Sequence, residues 1–455
     1  METVTVTKSN KAVCWKNSSF WILAGLLAFF LGMFARYGVG VYNDSEQYIT
    51  MHIHREPLYP LFLAFFRFFS GNGYLTMVAV VQNILAACGI FVLSEYLTKH
   101  FQLKVWEELV IVALQLAPHL MTRYVSALHI FLEPSVMSEA LCIPLLQFFL
   151  YFLLRTIWEG TRKDEILSLV LAFLLSLTRG QMMTTILIWM LVLAWKIIEG
   201  RRLRTLFVPV LVVLAVFALR TLTVHVYNYG VSGYFMGNTY GKVNTLTNIM
   251  YASDKEDGEV FAPGSLEREF FDRFYEEADQ IGANYRYAGD TYTEQISHLE
   301  EYHDTLKFQI LEADLSAYYF GLGQVDYYQQ SSMSDEMAGA MLKKLLPQCF
   351  GQWLYDYMLL CSYGFIRSIA VVHPVINWIA LLLYAAAVAF GIGICVKRKN
   401  KDSAILMGVA LLFIVANVCA CSLTIMCLSR YMIYGFALFY IAFFLVLREW
   451  ITVRN

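Results

Sequence analysis

The chain has 455 residues, 58% of them hydrophobic and 15% charged, with a formal net charge of −2. No soluble domain of this length needs so many long apolar runs, which excludes a water-soluble globular protein. The basic residues flank the apolar runs and do not interleave with aromatics on one surface, which excludes a nucleic-acid binder.

Apolar runs long enough to span a bilayer fall near 20–41, 75–97, 107–124, 137–158, 165–178, 181–198, 205–227, 372–396, 403–422 and 431–447, the third and fifth being short. The expected fold is therefore all-α and polytopic, with about ten transmembrane helices. The first run is too long for a signal peptide and no small-residue cleavage site follows it, so it is expected to stay. Lys8, Lys11 and Lys16 precede it; Lys99 and Lys104, Arg162 and Lys163, Arg201, Arg202 and Arg204, Lys397 to Lys401, and Arg448 mark every second connection. That alternation predicts cytoplasmic termini, with the first loop and the 228–350 segment on the opposite face.

The first loop carries Asn43-Asp44-Ser45-Glu46-Gln47-Tyr48 and Arg55-Glu56-Pro57-Leu58-Tyr59-Pro60. Carboxylates and a guanidinium beside a bilayer must be hydrated, paired or engaged with a ligand. Asp44 reads either as a general base or as a helix cap. Glu46 reads as a metal ligand or a solvated acid. His52 and His54 could offer two imidazoles to a metal, although alternating histidines without a third ligand more often form a solvated pair. The second outer loop adds Glu133 and Glu139 as contacts to an acceptor or a metal, against the simpler reading of Glu139 as a first-turn acid. His129 and His373 sit at outer helix ends.

Arg55, Arg123, Arg179, Arg220, Arg367 and Arg430 lie near the outer ends of spans, where the topology rule does not place them. One such arginine snorkels or pairs locally; the set fits a shared anionic ligand, because guanidinium forks grip phosphate oxygens.

The 228–350 segment breaks the apolar pattern. Residues 227–251 read as loop, and 265–280 as a helix with Leu266, Phe270, Phe274 and Ala278 on one face. A second helix is predicted over 293–313. A third is predicted to start near Ser334-Asp335-Glu336 and to run toward 346. The sequence divides into 1–227, 228–350 and 351–455. The nine cysteines have no metal-type or disulfide-type spacing.

On Asn43-Asp44-Ser45 to Tyr48, Arg55 to Leu63, Ser138-Glu139-Ala140-Leu141, Leu177-Thr178-Arg179 and Ser429-Arg430-Tyr431, the chain resembles the membrane-embedded glycosyltransferases of the GT-C superfamily. It looks most like bacterial relatives of protein O-mannosyltransferase and the lipid A aminoarabinose transferase. The likeness covers most of the chain as topology and these short motifs as sequence. It implies an inverting transferase that takes a sugar from a polyprenyl-phosphate donor in the lipid bilayer to an extracytoplasmic glycan, lipid or protein acceptor. It gives Asp44 the role of catalytic base and gives Arg55, Arg179, Arg367 and Arg430 the donor phosphate. Glu46, Tyr48, Tyr59, Glu133, Glu139 and Tyr431 become acceptor-side residues, and Tyr234, Tyr240, Tyr285, Tyr287 and Tyr292 could stack on a sugar. The chain departs from the family in having one first-loop carboxylate where a paired acidic dipeptide is usual, and Glu133 and Glu139 compete for the second-loop role. No cofactor is required by this reading, and a divalent metal stays open. Asn43-Asp44-Ser45 is also a glycosylation sequon, which favours a bacterial plasma membrane with the active face outward. The alternatives are a transporter or flippase of a lipid-linked glycan and a polysaccharide polymerase or ligase.

Overall fold

The computed structural model describes residues 9–125, 129–201, 203–323 and 325–452; Lys8 and Arg202 lie outside them. Among the described residues the backbone is helical, with no strand and one isolated bridge between Gly40 and Ser135. In chain order the helices are α1 (Ser9–Tyr37), α2 (Asn43–Ile49), α3 (Leu58–Ser70), α4 (Tyr74–Phe101), α5 (Val105–Tyr124), α6 (Ser138–Trp158), α7 (Arg162–Ser176), α8 (Thr184–Glu199), α9 (Phe207–Ser232) and α10 (Gly241–Tyr251). They continue with α11 (Leu266–Gln280), α12 (Tyr292–Asp304), α13 (Glu312–Gly321), α14 (Tyr327–Leu345), α15 (Phe350–Ile369), α16 (Pro374–Lys397), α17 (Asp402–Thr424), α18 (Ser429–Met432) and α19 (Phe436–Thr452).

Eight stretches are long and apolar enough to cross a membrane: Ser19–Tyr37, Leu58–Phe101, Ser138–Trp158, Gly180–Glu199, Leu203–Ser232, Pro374–Lys397, Asp402–Thr424 and Ser429–Thr452. They coincide with eight of the ten expected runs. The other two form helices of a different kind. α5 carries Glu107, Glu108 and Arg123 within its 20 residues. α7 has 15 residues with Asp164 and Glu165 in its first turn, and at 1.5 Å per residue reaches only about 22 Å.

The chain forms two compact units. The first contains the residues up to Phe217, Ala387–Ala410 and the residues from Phe436 on; the second contains Ala218–Ala386 and Leu411–Gly435.

In the first unit α4 packs against α1, α3, α5 and α6. Its contact with α6 depends on Gly89, where an added Cβ would lie 3.3 Å from the Pro144 Cα and would collide with the Gln147 side chain. Gln147 and Ser94 are joined through Gln115, whose amide bridges to the Ser94 hydroxyl at 2.6 Å. Overpacking such a seam costs about 1–3 kcal/mol. Gly89→Ala is therefore expected to lower the thermal unfolding temperature of the detergent-solubilised protein; an unchanged temperature would show that the seam yields.

In the second unit Phe270, Phe274 and Ala278 of α11 are buried as the helical spacing predicts, joined by Leu246, Ile249, Leu306, Leu311, Met341 and Leu345. Residues 241–251 are α10 and not loop. Their Tyr, Asn and Gly content masks an apolar stripe, Val243, Leu246, Ile249 and Met250, that the core buries. The helix expected over 293–313 is α12 followed by a π-helical segment, Thr305–Leu311. α14 begins well before Ser334, because Asp326 takes the cap by accepting the Gln329 N–H at 2.9 Å. Asp335 lies inside α14 and accepts the Lys242 N–H at 2.9 Å, serving the start of α10.

Asp356 of α15 is buried, with Oδ1 accepting from Gln352 at 2.9 Å and Oδ2 without a hydrogen-bond partner. Burial pushes its carboxyl up to about 7. An unfolded Asp titrates near ~4, so the folded state is penalised as pH rises from ~4 through ~7 and the penalty is constant above that. The loss is roughly 3–4 kcal/mol. Asp356→Asn is expected to raise the unfolding temperature at pH 8 and leave it unchanged at pH 4; a pH-independent difference would count against this origin.

Candidate active site

The first unit gathers the 43–60 and 133–141 motifs. α1 ends at Tyr37, and Gly38 leaves in the left-handed region at φ +68°. An L side chain there would be strained, so glycine turns the chain into the extended stretch that pairs Gly40 with the loop before α6. The Gly40 N–H donates to the Pro134 carbonyl at 3.1 Å and the Val136 N–H to the Gly40 carbonyl at 2.8 Å. α2 is then capped by Ser45, whose Oγ accepts the Tyr42 N–H and donates to the Val136 carbonyl. Ser45 therefore fills the capping role that Asp44 could have had.

The Asp44 carboxylate pairs with Arg55 Nη2 at 2.8 Å, and both side chains are about a quarter exposed. Arg55 also donates Nε to Gln47 Oε1 at 2.8 Å and lies over the Tyr48 ring. The Tyr48 hydroxyl bonds Ser138 Oγ at 2.9 Å, and Arg179 Nη1 donates to the same Oγ at 3.0 Å. Arg179 Nη1 pairs with Glu139 Oε1 at 2.6 Å in a nearly buried contact. A continuous polar chain thus runs from Asp44 through Arg55, Tyr48 and Ser138 to Arg179 and Glu139. Burial pushes the Tyr48 phenol up, opposed by Arg55 and reinforced by Glu139, so it stays neutral in the middle. Ser138 is the hub. It stands in an expected motif, but its role was hidden because a lone hydroxyl at a helix start reads as a cap.

Other residues go elsewhere. Tyr59 is fully buried, edge-on to Tyr48, and donates its hydroxyl to Gln82 at 2.8 Å. Glu133 is fully buried and pairs with His119 of α5, while Gln82 Nε2 holds the Glu133 carbonyl at 2.7 Å. Gln82 and His119, missed in the sequence, were signalled by a polar side chain inside an apolar run. Glu46 is exposed on α2. His52 and His54 lie with ring centroids 4.5 Å apart, and His52 Nδ1 accepts the His54 N–H. Burial, and next Arg55, pulls the His52 imidazole down, which keeps it neutral. Among the described residues no group of three His, Cys, Asp or Glu side chains is arranged to hold a metal ion. Arg123 stacks on Tyr37 and donates to the His129 carbonyl.

Arg367 and Arg430 belong to the second unit. Arg367 forms a two-pronged pair with Glu300, with Nη2 to Oε2 at 2.9 Å, and donates to the Cys427 carbonyl at 3.1 Å. Arg430 donates to the Tyr431 hydroxyl at 2.9 Å and lies over that ring. Tyr234 and Tyr287 donate to Asp326 and Asp279, Tyr285 to Asp254, and Tyr292 bonds Ser362. Lys307 places its ammonium 3.8 Å from the Tyr240 ring centre.

Comparison of the chain with protein families, with curated proteins and with solved structures finds no match.

Proposed function

We propose that this chain is an integral-membrane glycosyltransferase of the GT-C type, moving a sugar with inversion from a polyprenyl-phosphate donor to an extracytoplasmic acceptor. The reading places it in a bacterial plasma membrane, with cytoplasmic termini and the active face outward. The observation that carries it is the polar chain from Asp44 to Glu139, which joins one part-exposed carboxylate to two arginines among apolar helices. The acceptor hydroxyl gives its proton to Asp44 as its oxygen attacks the anomeric carbon. The bond from that carbon to the phosphate oxygen breaks, and the lipid phosphate leaves with the electron pair. Arg55 and Arg179 stabilise the charge that grows on it, more in the transition state than before. The donor phosphate competes with Asp44 for the Arg55 fork and leaves the carboxylate free to take a proton.

A flippase for a lipid-linked glycan is the second reading. It is favoured by the His119–Glu133 pair, which buries ionisable groups among the helices, as transport paths do. The test is incubation of the purified full-length protein with a panel of polyprenyl-phosphate monosaccharides. Release of polyprenyl phosphate with sugar on an acceptor supports the transferase; donor movement across liposomes without sugar release would replace it with the flippase.

A further inference from the structure

α4 carries a fully buried glutamine where the loops of the candidate site meet. Gln82 Nε2 donates to the Glu133 carbonyl at 2.7 Å and to the Ser135 carbonyl at 3.1 Å, and Oε1 accepts the Tyr59 hydroxyl at 2.8 Å. One side-chain amide thus uses both of its N–H groups and a lone pair of its oxygen. The next residue, Asn83, donates to the Ala79 carbonyl of its own helix at 2.7 Å. Gln82 instead reaches out of α4.

Each of its three bonds ends on a segment that carries the site. Tyr59 stands in the first turn of α3, and its ring meets that of Tyr48 edge-on with centres 4.9 Å apart. The Leu58 N–H, one residue earlier, donates at 2.9 Å to the carbonyl of Leu177, two residues before Arg179. Glu133 and Ser135 belong to the turn that enters α6 at Ser138. A closed circuit follows: Gln82 to Tyr59, Tyr59 to Tyr48, Tyr48 to Ser138 at 2.9 Å, and Ser138 back along the chain to Ser135 and Gln82. Gln82, Tyr59, Tyr48, Ser138 and Ser135 are all buried, so a polar group that loses its partner in this circuit is left unsatisfied.

We propose that Gln82 is a positioning residue of the candidate site. It touches no substrate; it fixes Tyr48 against Ser138 and, through them, the aim of Arg55 and Arg179. The catalytic side of this proposal rests on the transferase reading, whereas the coupling of the loops does not. A misplacement of about 1 Å at reacting groups costs about 10²-fold in rate, so one glutamine outside the reaction can govern turnover.

The test compares the full-length wild type with Gln82→Met, Tyr59→Phe and Gly89→Ala. Gln82→Met keeps the length of the side chain and removes all three bonds; Tyr59→Phe keeps the ring and removes one. Gly89→Ala strains α4 about two turns further on and controls for loss of stability alone. Transfer from a polyprenyl-phosphate sugar is expected to lose about 10- to 100-fold in kcat in Gln82→Met and less in Tyr59→Phe, with donor KM nearly unchanged in both. Gly89→Ala should keep the wild-type kcat. Hydrogen exchange read by mass spectrometry needs no activity: in Gln82→Met, peptides covering 45–59 and 131–138 should both exchange faster. Faster exchange in one of these segments alone, wild-type kcat in Gln82→Met, or an equal loss of kcat in Gly89→Ala would overturn the proposal. If Gln82→Met fails to fold, Tyr59→Phe decides by the same two readouts. A wild type that transfers sugar from no donor would count against the transferase reading, and the exchange comparison would still decide the coupling.

Discussion

On the proposed transferase reading, Asp44→Asn is expected to lower sugar transfer by about 10²- to 10⁴-fold, the usual worth of a general base, while leaving the protein folded. The side chain keeps its shape, and its amide oxygen can still accept from Arg55 Nη2. It loses the capacity to take a proton. The lost ion pair is partly exposed at both ends, so its contribution to stability is within about 1 kcal/mol. Turnover with a polyprenyl-phosphate sugar and thermal unfolding should therefore separate cleanly. Full turnover in the variant would remove Asp44 from the mechanism, and a collapse of folding would recast the pair with Arg55 as structural.

Glu139→Ala acts in the opposite sense. Glu139 is nearly buried and faces Arg179 at 2.6 Å. Removing the carboxylate leaves a guanidinium charge in a place that water reaches poorly, and breaking such a pair costs about 3–5 kcal/mol. The unfolding temperature of Glu139→Ala should fall steeply. Glu139→Gln, which still accepts a hydrogen bond, should fall by less. On the proposed transferase reading, Glu139→Gln lowers the negative charge beside Arg179, so donor affinity is expected to rise. Equal stability of Glu139→Ala and the wild type would mean that Arg179 relaxes into solvent.

The helices were legible where apolar side chains repeat with helical spacing over a long run, and eight of the membrane-length helices follow directly from that. α11 was legible because Phe270, Phe274 and Ala278 stand out against charged neighbours. α10 was not, because its buried stripe is diluted by Asn244, Asn248 and Tyr251, whose type suggests a loop. The π-helical turn at Thr305–Leu311 leaves no signature in spacing, since one longer turn changes the phase only locally. In the candidate site the charged residues were visible and local pairing of an arginine with a nearby acid was foreseen, as Arg55–Asp44 and Arg179–Glu139 show, but not which acid meets which arginine. Glu133 and Glu139 looked equivalent in sequence, but one turns into the helices toward His119 and the other toward Arg179. Only the path of the loop between α5 and α6, pinned by Gln82, separates them.

The bridge between the loop after α1 and the start of α6 also sets a timetable for biosynthesis. Tyr48 and Ser138 are 90 residues apart along the chain, and Arg179 follows Ser138 by another 41. At a synthesis rate of ~5–20 residues per second, Tyr48 waits roughly 5–18 s for its partner and Arg179 arrives roughly 2–8 s later. Through that interval Asp44 and Arg55, only 11 residues apart, can already satisfy each other. The local pair thus shields the nascent loop while the ribosome delivers the helices that complete the constellation.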